Sequence, residues 1–296
     1  MSSRQPVAQG QQSANLMAID AVCNLRTPEL VEKRQHQWTL YNRQFGKEEP
    51  VLTVDELVQK MDASGIGKAF LIAAKLGSKH QGFTDSVSYE EVYDAIQQYP
   101  NRFYGLAGID PLEGMEGVRA LEQAVKELGF IGAHLYPHWF GMEPDHRKYY
   151  PFYAKCIELD IPIQMQVGHC LIYINDRPPF RSVGHPILLD TIACDLPELK
   201  LVGIHSGYPW VEEMIAVAWK HPNVYVGSDA YAPRYWKPEF IHFINSWGRN
   251  KVIFGTDFPV IDMERAMQEI QALELNPESQ RKFLRDNTIQ LYNLND

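Results

Sequence analysis

Eight short apolar runs recur along the chain, and each gap between them has room for a helix. They are Leu16–Ile19, Ala69–Ala73, Phe103–Ile109, Ile131–Tyr136, Ile161–Val167, Leu199–Ile204, Val224–Val226 and Val252–Phe254. Most are nearly continuous rather than alternating, the pattern of parallel strands covered on both faces. Helical signals fill the gaps. Thr53-Val54-Asp55-Glu56 and Ser88-Tyr89-Glu90-Glu91 are capping boxes. Residues 116–128 carry Val118, Leu121, Val125 and Leu128 on one face, and Gly129 stops them. Residues 149–159, 211–220 and 238–247 continue the alternation, Asn276-Pro277 supplies an N-cap and a first-turn proline, and residues 286–294 form a terminal helix. This alternation predicts an α/β fold, a single (β/α)8 TIM barrel with an elongated loop after the first strand. No G-x-G-x-x-G follows the first run, which weighs against an open dinucleotide-binding sheet. One domain is expected over residues 16–296. Residues 1–15, rich in Gln and Ser and without an apolar core, read as a flexible tail.

The formal net charge of -9 and the lack of a basic run exclude nucleic acid as a partner. No stretch of about 18 apolar residues is present, so a membrane span is not expected. Cys23, Cys156, Cys170 and Cys194 show no CxxC spacing and read as free thiols of a reducing, cytoplasmic compartment. A homodimer is the commonest assembly for such chains and stands as the expectation.

The loops after the strands are long and aromatic. Residues 24–50 hold Arg26, His36, Trp38, Tyr41 and Phe45, and further loops span 137–146, 168–185 and 229–236. In barrel enzymes such loops build the active face. Their Trp, Tyr, His and Arg content suits a small organic ligand, aromatic or conjugated. The same aromatics are equally suited to a second small core or a dimer contact.

Two strand ends carry chemistry. The run Lys251-Val252-Ile253-Phe254-Gly255-Thr256-Asp257-Phe258-Pro259 ends on a carboxylate, and Leu201-Val202-Gly203-Ile204-His205-Ser206-Gly207 ends on an imidazole. Taken singly, an Asp after Gly-Thr often caps a turn and a His often sits satisfied in a core. Taken together, an acid and a base at two strand ends point to function. Side chains two apart on a strand share a face, so Gln164 and Gln166, His134 and Tyr136, and Asp20, Val22 and Asn24 should face inward with them. Unpaired buried amides cost about 1–3 kcal/mol, so two inward glutamines imply polar partners.

These residues resemble the decarboxylase-like branch, amidohydrolase family 2, of the amidohydrolase superfamily. Its members usually open with Asp-x-His-x-His or Glu-x-His at the first strand. A histidine ends the fifth strand, another the sixth, and an aspartate the eighth. His205-Ser206-Gly207 and Phe254-Gly255-Thr256-Asp257-Phe258-Pro259 match. Gly129-Phe130-Ile131-Gly132-Ala133 and His221-Pro222-Asn223-Val224-Tyr225 are also similar to the family, and the resemblance covers most of residues 16–296. The first strand instead reads Ile19-Asp20-Ala21-Val22-Cys23-Asn24, and the fifth has Gln166 where the histidine belongs. Valine cannot ligate, and neutral amides are weak donors to a transition metal. The expectation is therefore no metal cofactor. The alternative is one divalent ion such as zinc on a rebuilt site of His134, His169, His205 and Asp257.

The resemblance implies an enzyme. The leading expectation is metal-independent hydrolysis of a small cyclic or aromatic ester, lactone or related carbonyl compound, with Asp257 and His205 as the acid–base pair. The pyrone dicarboxylate lactonases, which this branch resembles, imply that a strand-end aspartate can act without metal. Asn24, Arg26, His134, Tyr136, His138, Gln166 and His169 are expected to bind substrate. Among them Asn24, His134, Tyr136 and Gln166 would donate to a carbonyl or carboxylate oxygen. Arg26, Arg177, Arg181 and Arg234 are candidate clamps for a substrate carboxylate. The alternatives are a decarboxylase or other C–C lyase, and a catalytically inactive ligand-binding barrel.

Overall fold

Each apolar run becomes a strand of one parallel sheet. In the computed structural model, which describes residues 17–34, 42, 48–78, 83–171 and 179–295, the strands are β1 (Ala18–Cys23), β2 (Ile66–Ala73), β5 (Phe103–Gly108), β6 (Gly132–Leu135), β7 (Ile163–Gln166), β8 (Leu201–Ile204), β9 (Val224–Gly227) and β10 (Val252–Ile253). They lie in the order β1-β2-β5-β6-β7-β8-β9-β10, every neighbour parallel. The sheet closes on itself. Ala21 N donates to Phe254 O at 3.0 Å, Asp257 N to Val22 O at 2.8 Å and Asn24 N to Phe258 O at 2.9 Å. The fold is a (β/α)8 barrel. Two strands were not expected: β3 (Lys75–Ser78) and β4 (Phe83–Ser86) pair antiparallel as a hairpin after β2. Their mixed polar sequence carries no strand signal of its own.

Local chemistry sets the helices between the strands. Thr53 and Ser88 form both capping boxes, each accepting from the backbone of Glu56 or Glu91 and receiving that glutamate in return. The helix Gly114–Lys126 buries Val118 and Leu121 against the sheet, and Gly129 follows it at φ +71°, a left-handed turn that suits glycine. Asn276 caps the helix Pro277–Arg281. The final helix, Asn287–Tyr292, follows directly on a π turn. A helix Pro28–Lys33 lies in the long segment after β1. The expected tail 1–15, together with His36, Trp38, Tyr41, Phe45 and Arg177, falls outside the described residues. No helix among the described residues is long and apolar enough to cross a membrane. All four cysteines are free thiols.

Asp20 faces the barrel interior, as the alternation predicts, but it serves the wall rather than the cavity. It is fully buried. Its Oδ1 accepts from Thr256 N at 2.9 Å and Val22 N at 3.2 Å, and its Oδ2 accepts from Thr256 Oγ1 at 2.5 Å. Thr256 Oγ1 in turn accepts from Phe258 N at 2.9 Å. This clamp holds the segment after β10 in place, and Asp257 projects from it in the left-handed region at φ +56°. Few non-glycine residues sit there without support from their surroundings.

Candidate active site

At the C-terminal end of the strands lies a cavity of about 130 Å3. That is close to the volume, roughly 150 Å3, of an apolar cavity that takes up benzene, so the space suits a one-ring molecule. Asn24, Arg26, His134, Tyr136, Gln166, His169, His205 and Asp257, all anticipated from sequence, line it, joined by Trp139, Leu171, Tyr231 and Val260. His138 does not. Its Nδ1 accepts from Val183 N at 3.2 Å, its ring packs against Gly184, and burial pushes it down to about 4. Among the candidate arginines that are described, Arg26 alone lines the cavity, and it pairs with Glu49 at 3.0 Å. Arg234 is turned away onto Glu269, and Arg181 is exposed.

The centre of the site is a triad. His205 Nε2 lies 3.3 Å from Asp229 Oδ2 and 3.8 Å from Asp257 Oδ2. Asp229 Oδ1 accepts from His205 N at 3.1 Å, which ties the end of β9 to the end of β8. Asn24 Nδ2 donates to Asp257 Oδ1 at 2.8 Å and to Phe258 O at 3.1 Å. Gln166 places its amide nitrogen 3.3 Å from His205 Nδ1. An amide donating to Nδ1 would place the ring hydrogen on Nε2, toward the two carboxylates. Asp229 was not singled out from sequence. The available signal was its position: Ser228-Asp229 follows the Val224–Gly227 strand much as Thr256-Asp257 follows β10.

Burial dominates the electrostatics. It pushes Asp257 up to about 7, with the neighbouring Asp229 charge adding to the rise and His205 and Asn24 opposing it. It pushes Asp229 up to about 7 as well, against hydrogen bonds from the backbone of His205 and from its own. The His205 imidazolium is disfavoured by the same burial and favoured by Asp257. Two carboxyls and an imidazole this close titrate as one unit, so the cluster holds a shared proton near neutrality.

Behind this triad, His134 and Gln164 stand side by side on β6 and β7. Gln164 Oε1 lies 3.1 Å from His134 Nδ1, while Gln164 Nε2 donates to Ala21 O at 2.7 Å and to Tyr292 Oη at 3.0 Å. Burial pushes His134 down to about 3, with the His205 charge adding to the effect, so it stays neutral. His134 lines the cavity with its Nδ1 engaged by Gln164 and its Nε2 without a hydrogen-bond partner among the described residues. His169 packs its ring edge-on to Tyr208 with centroids 5.4 Å apart. Its buried Nε2 has no partner among the described residues.

The triad also has the composition of a cation site. One ligand atom each from His205, Asp229 and Asp257 lie within 4.8 Å of one another. Asp229 Oδ2 is buried, and although His205 Nε2 is near, no hydrogen bond reaches it among the described residues. A buried carboxylate oxygen without a donor is costly unless a cation meets it. Two carboxylates and one imidazole suit a divalent ion such as manganese or zinc. The rebuilt site expected from sequence differs in membership: His134 and His169 are not in this group, and Asp229 is.

Comparison with known proteins fits this geometry. The amidohydrolase family model matches residues 53–294. A 2-keto-4-carboxy-3-hexenedioate hydratase of Sphingobium sp. is 32% identical over 139 residues, a match that takes in 39% of this chain and 39% of the hydratase. A gamma-resorcylate decarboxylase of Polaromonas sp. is 22% identical over 81% of this chain and 87% of its own. Among solved structures, a TIM-barrel protein from Bordetella bronchiseptica superposes with a TM-score of 0.74 at 26% identity, covering 93% of this chain and 97% of that one. A dihydroxybenzoic acid decarboxylase from Polaromonas sp., solved with bound manganese and the inhibitor 2-nitroresorcinol, superposes with a TM-score of 0.70 at 20% identity, covering 94% and 97%. The expectation of a metal-free site is therefore corrected. A barrel of this shape has been solved with manganese, and this chain brings a histidine and two aspartates together although the first- and fifth-strand histidines are absent. The expectation of a hydrolase has no counterpart among these relatives.

Proposed function

This chain belongs to the amidohydrolase family, and we propose that within it the chain is a carboxy-lyase, removing a carboxyl group from a small aromatic or conjugated acid. The observation that carries this reading is the His205 imidazole, a proton donor held 3.3 Å from Asp229 and 3.8 Å from Asp257 beside a cavity the size of one ring. Decarboxylation needs a proton delivered to carbon and no attacking water. Hydrolysis needs the opposite, a base already free of its proton. The likeness to gamma-resorcylate decarboxylases supports the same choice.

Asp229 and Asp257 would hold a divalent ion, and His205 Nε2, beside them, keeps its hydrogen for the substrate. When bound, such an ion supplies a fixed positive charge that anchors the anionic oxygens of the substrate. The chain's own residues do the rest. Arg26 faces the cavity and offers charge to a carboxylate. Asn24 fixes the orientation of Asp257, and the Gln166 amide keeps the His205 hydrogen on Nε2. From there the proton passes to the carbon that bears the carboxylate. A C–H bond forms from a π electron pair of the substrate. The C–C bond to the carboxylate then breaks, its electron pair restores the π system, and carbon dioxide leaves. The cluster takes its next proton from solvent. Trp139 and Tyr231 wall the space and keep water from the intermediate.

The hydratase likeness favours a second reading, water addition to or loss from a conjugated acid, which would use the same proton. The manganese-loaded protein should be incubated in heavy water with a panel of aromatic and conjugated carboxylic acids. Carbon dioxide release with deuterium at the vacated carbon is the expected result. A product that gains or loses water with its carbon count unchanged selects the second reading. Turnover that survives Asp257→Asn overturns both.

A further inference from the structure

A second cavity, of about 80 Å3, adjoins the first. Asn24, Arg26 and Leu76 line both, so the two spaces meet at these three side chains. Leu25, Leu30, Val31, Ile72, Leu76 and Val87 give the side pocket a mostly apolar surface. Close packing is the rule in protein interiors, so an apolar space of this size beside a site calls for an occupant. The charged groups on its wall are already engaged. Arg34 Nε donates to Ser86 O at 2.7 Å and stands 3.5 Å from Asp85 Oδ1, and its Nη2 donates to Glu91 Oε2 at 2.7 Å. Arg26 Nη1 donates to Glu49 Oε2 at 3.0 Å. Both guanidiniums thus face carboxylates of the chain itself, and Asp85 adds a carboxyl group to the wall. A second substrate carboxylate would meet repulsion there, and no uncommitted cation among the described lining residues.

We infer that this side pocket is a specificity subsite: the acid carries an apolar substituent of about three or four carbons that lies in it, rather than a second carboxylate. The inference deepens the proposed function and rests on it for the ligand being a small acid. The volume sets the length, since it is about half of the roughly 150 Å3 that takes up benzene. Arg26 stands at the junction, so it can offer its charge to the reacting carboxylate while its apolar stem walls the side pocket. A chain with polar groups would give up its water to a wall that offers little in return. An apolar chain loses nothing of that kind, and each methylene taken out of water adds about fourfold to affinity.

Calorimetry on the manganese-loaded protein tests this with 3-alkyl- and 4-alkylbenzoates, their chains running from methyl to hexyl, each beside the acid of equal length that ends in a carboxylate. At one ring position affinity should climb about fourfold per carbon as far as propyl or butyl, and hexyl should gain nothing more. The partner ending in a carboxylate should bind at least about tenfold more weakly than the alkyl acid. Val31 and Val87 line the pocket and are only partly buried. Val31→Phe and Val87→Phe should narrow it and reduce the propyl gain to that of methyl, while benzoate binds as before. Affinity that is flat along the series, that still climbs at hexyl, or that favours the terminal carboxylate overturns the inference. So does a series in which nothing binds, or a propyl gain that survives in both folded variants. The wild-type series needs no variant, so a failure of either to fold leaves the test standing. A chain-length gradient with no carbon dioxide release from any acid tried would leave the subsite in place and overturn the carboxy-lyase reading alone.

Discussion

Asn24 donates to Asp257 across 233 positions of sequence, at 2.8 Å, over the seam where the first and last barrel strands meet. The resemblance places a metal-binding histidine at the position of Asn24. Here an amide stands in that place and holds the carboxylate instead of a metal.

Replacing Asn24 by Ala removes a donor that favours the charged form of Asp257. The carboxyl of Asp257 should rise further, and manganese, which needs it deprotonated, should bind about tenfold more weakly, within the range of a hydrogen bond to a charged group. Manganese titration followed by electron paramagnetic resonance measures this. Unchanged affinity would show that Asn24 does not govern the carboxylate.

Stability and metal affinity should move in opposite directions with pH. Asp229 and Asp257 are raised from 3.8 to about 7 in the folded chain. The folded state therefore binds protons that the unfolded state has already released. The stability this contributes is complete below the unfolded value and is lost as pH rises through about 7. A divalent ion must displace those protons, so it binds better as they leave. The melting temperature of chelator-treated protein should fall between about pH 4 and about pH 7, and the gain on adding manganese should grow over the same interval. A gain that is flat with pH would remove these carboxylates from the metal site.

Asp229→Asn tests the residue that sequence reasoning missed. The side-chain oxygen can still accept from His205 N, so the chain should fold with little loss of stability. Manganese affinity should drop at least about tenfold, and turnover should drop with it. Scanning calorimetry beside the metal titration separates the two effects. Wild-type affinity in a folded variant would mean that the ion sits elsewhere.

Thr256→Val leaves Asp20 Oδ2 without its donor inside the barrel wall. The expected cost is about 1–3 kcal/mol in urea unfolding. Asp257 is the next residue, so kcat should fall while substrate affinity changes little. A stability loss with unaltered kcat would make the clamp purely architectural.

The barrel was legible because strands buried on both faces must be written as continuous apolar runs, and because Thr53 with Glu56 and Ser88 with Glu91 announce their helices directly. Strand alternation correctly brought His134, Gln166 and Asn24 to the cavity with His205 and Asp257. It could not assign jobs. Asp20 faces inward like the others, yet its partners come from the far end of the sequence, and only the closed barrel brings Thr256 to it. The lost histidines at the first and fifth strands suggested a site without metal. Coordination depends on which atoms meet in space, and Asp229, from a different strand, meets His205 and Asp257 there. The Gln164 amide lies furthest from sequence, since its orientation depends on a backbone carbonyl 143 positions away.

The seam has a consequence for how the chain reaches this state. Until the barrel closes, β1 and β10 are the open edges of a sheet, the features most prone to pair with another chain. The segments that form those edges carry Asp20 and Asp257. In an open intermediate both are solvated and ionised, with their reference values near 3.8. Charges on exposed edges oppose edge-to-edge pairing. The carboxylates that make the finished interior polar thus guard the unfinished sheet against aggregation, and replacing them with apolar residues should lower the yield of refolding at high protein concentration.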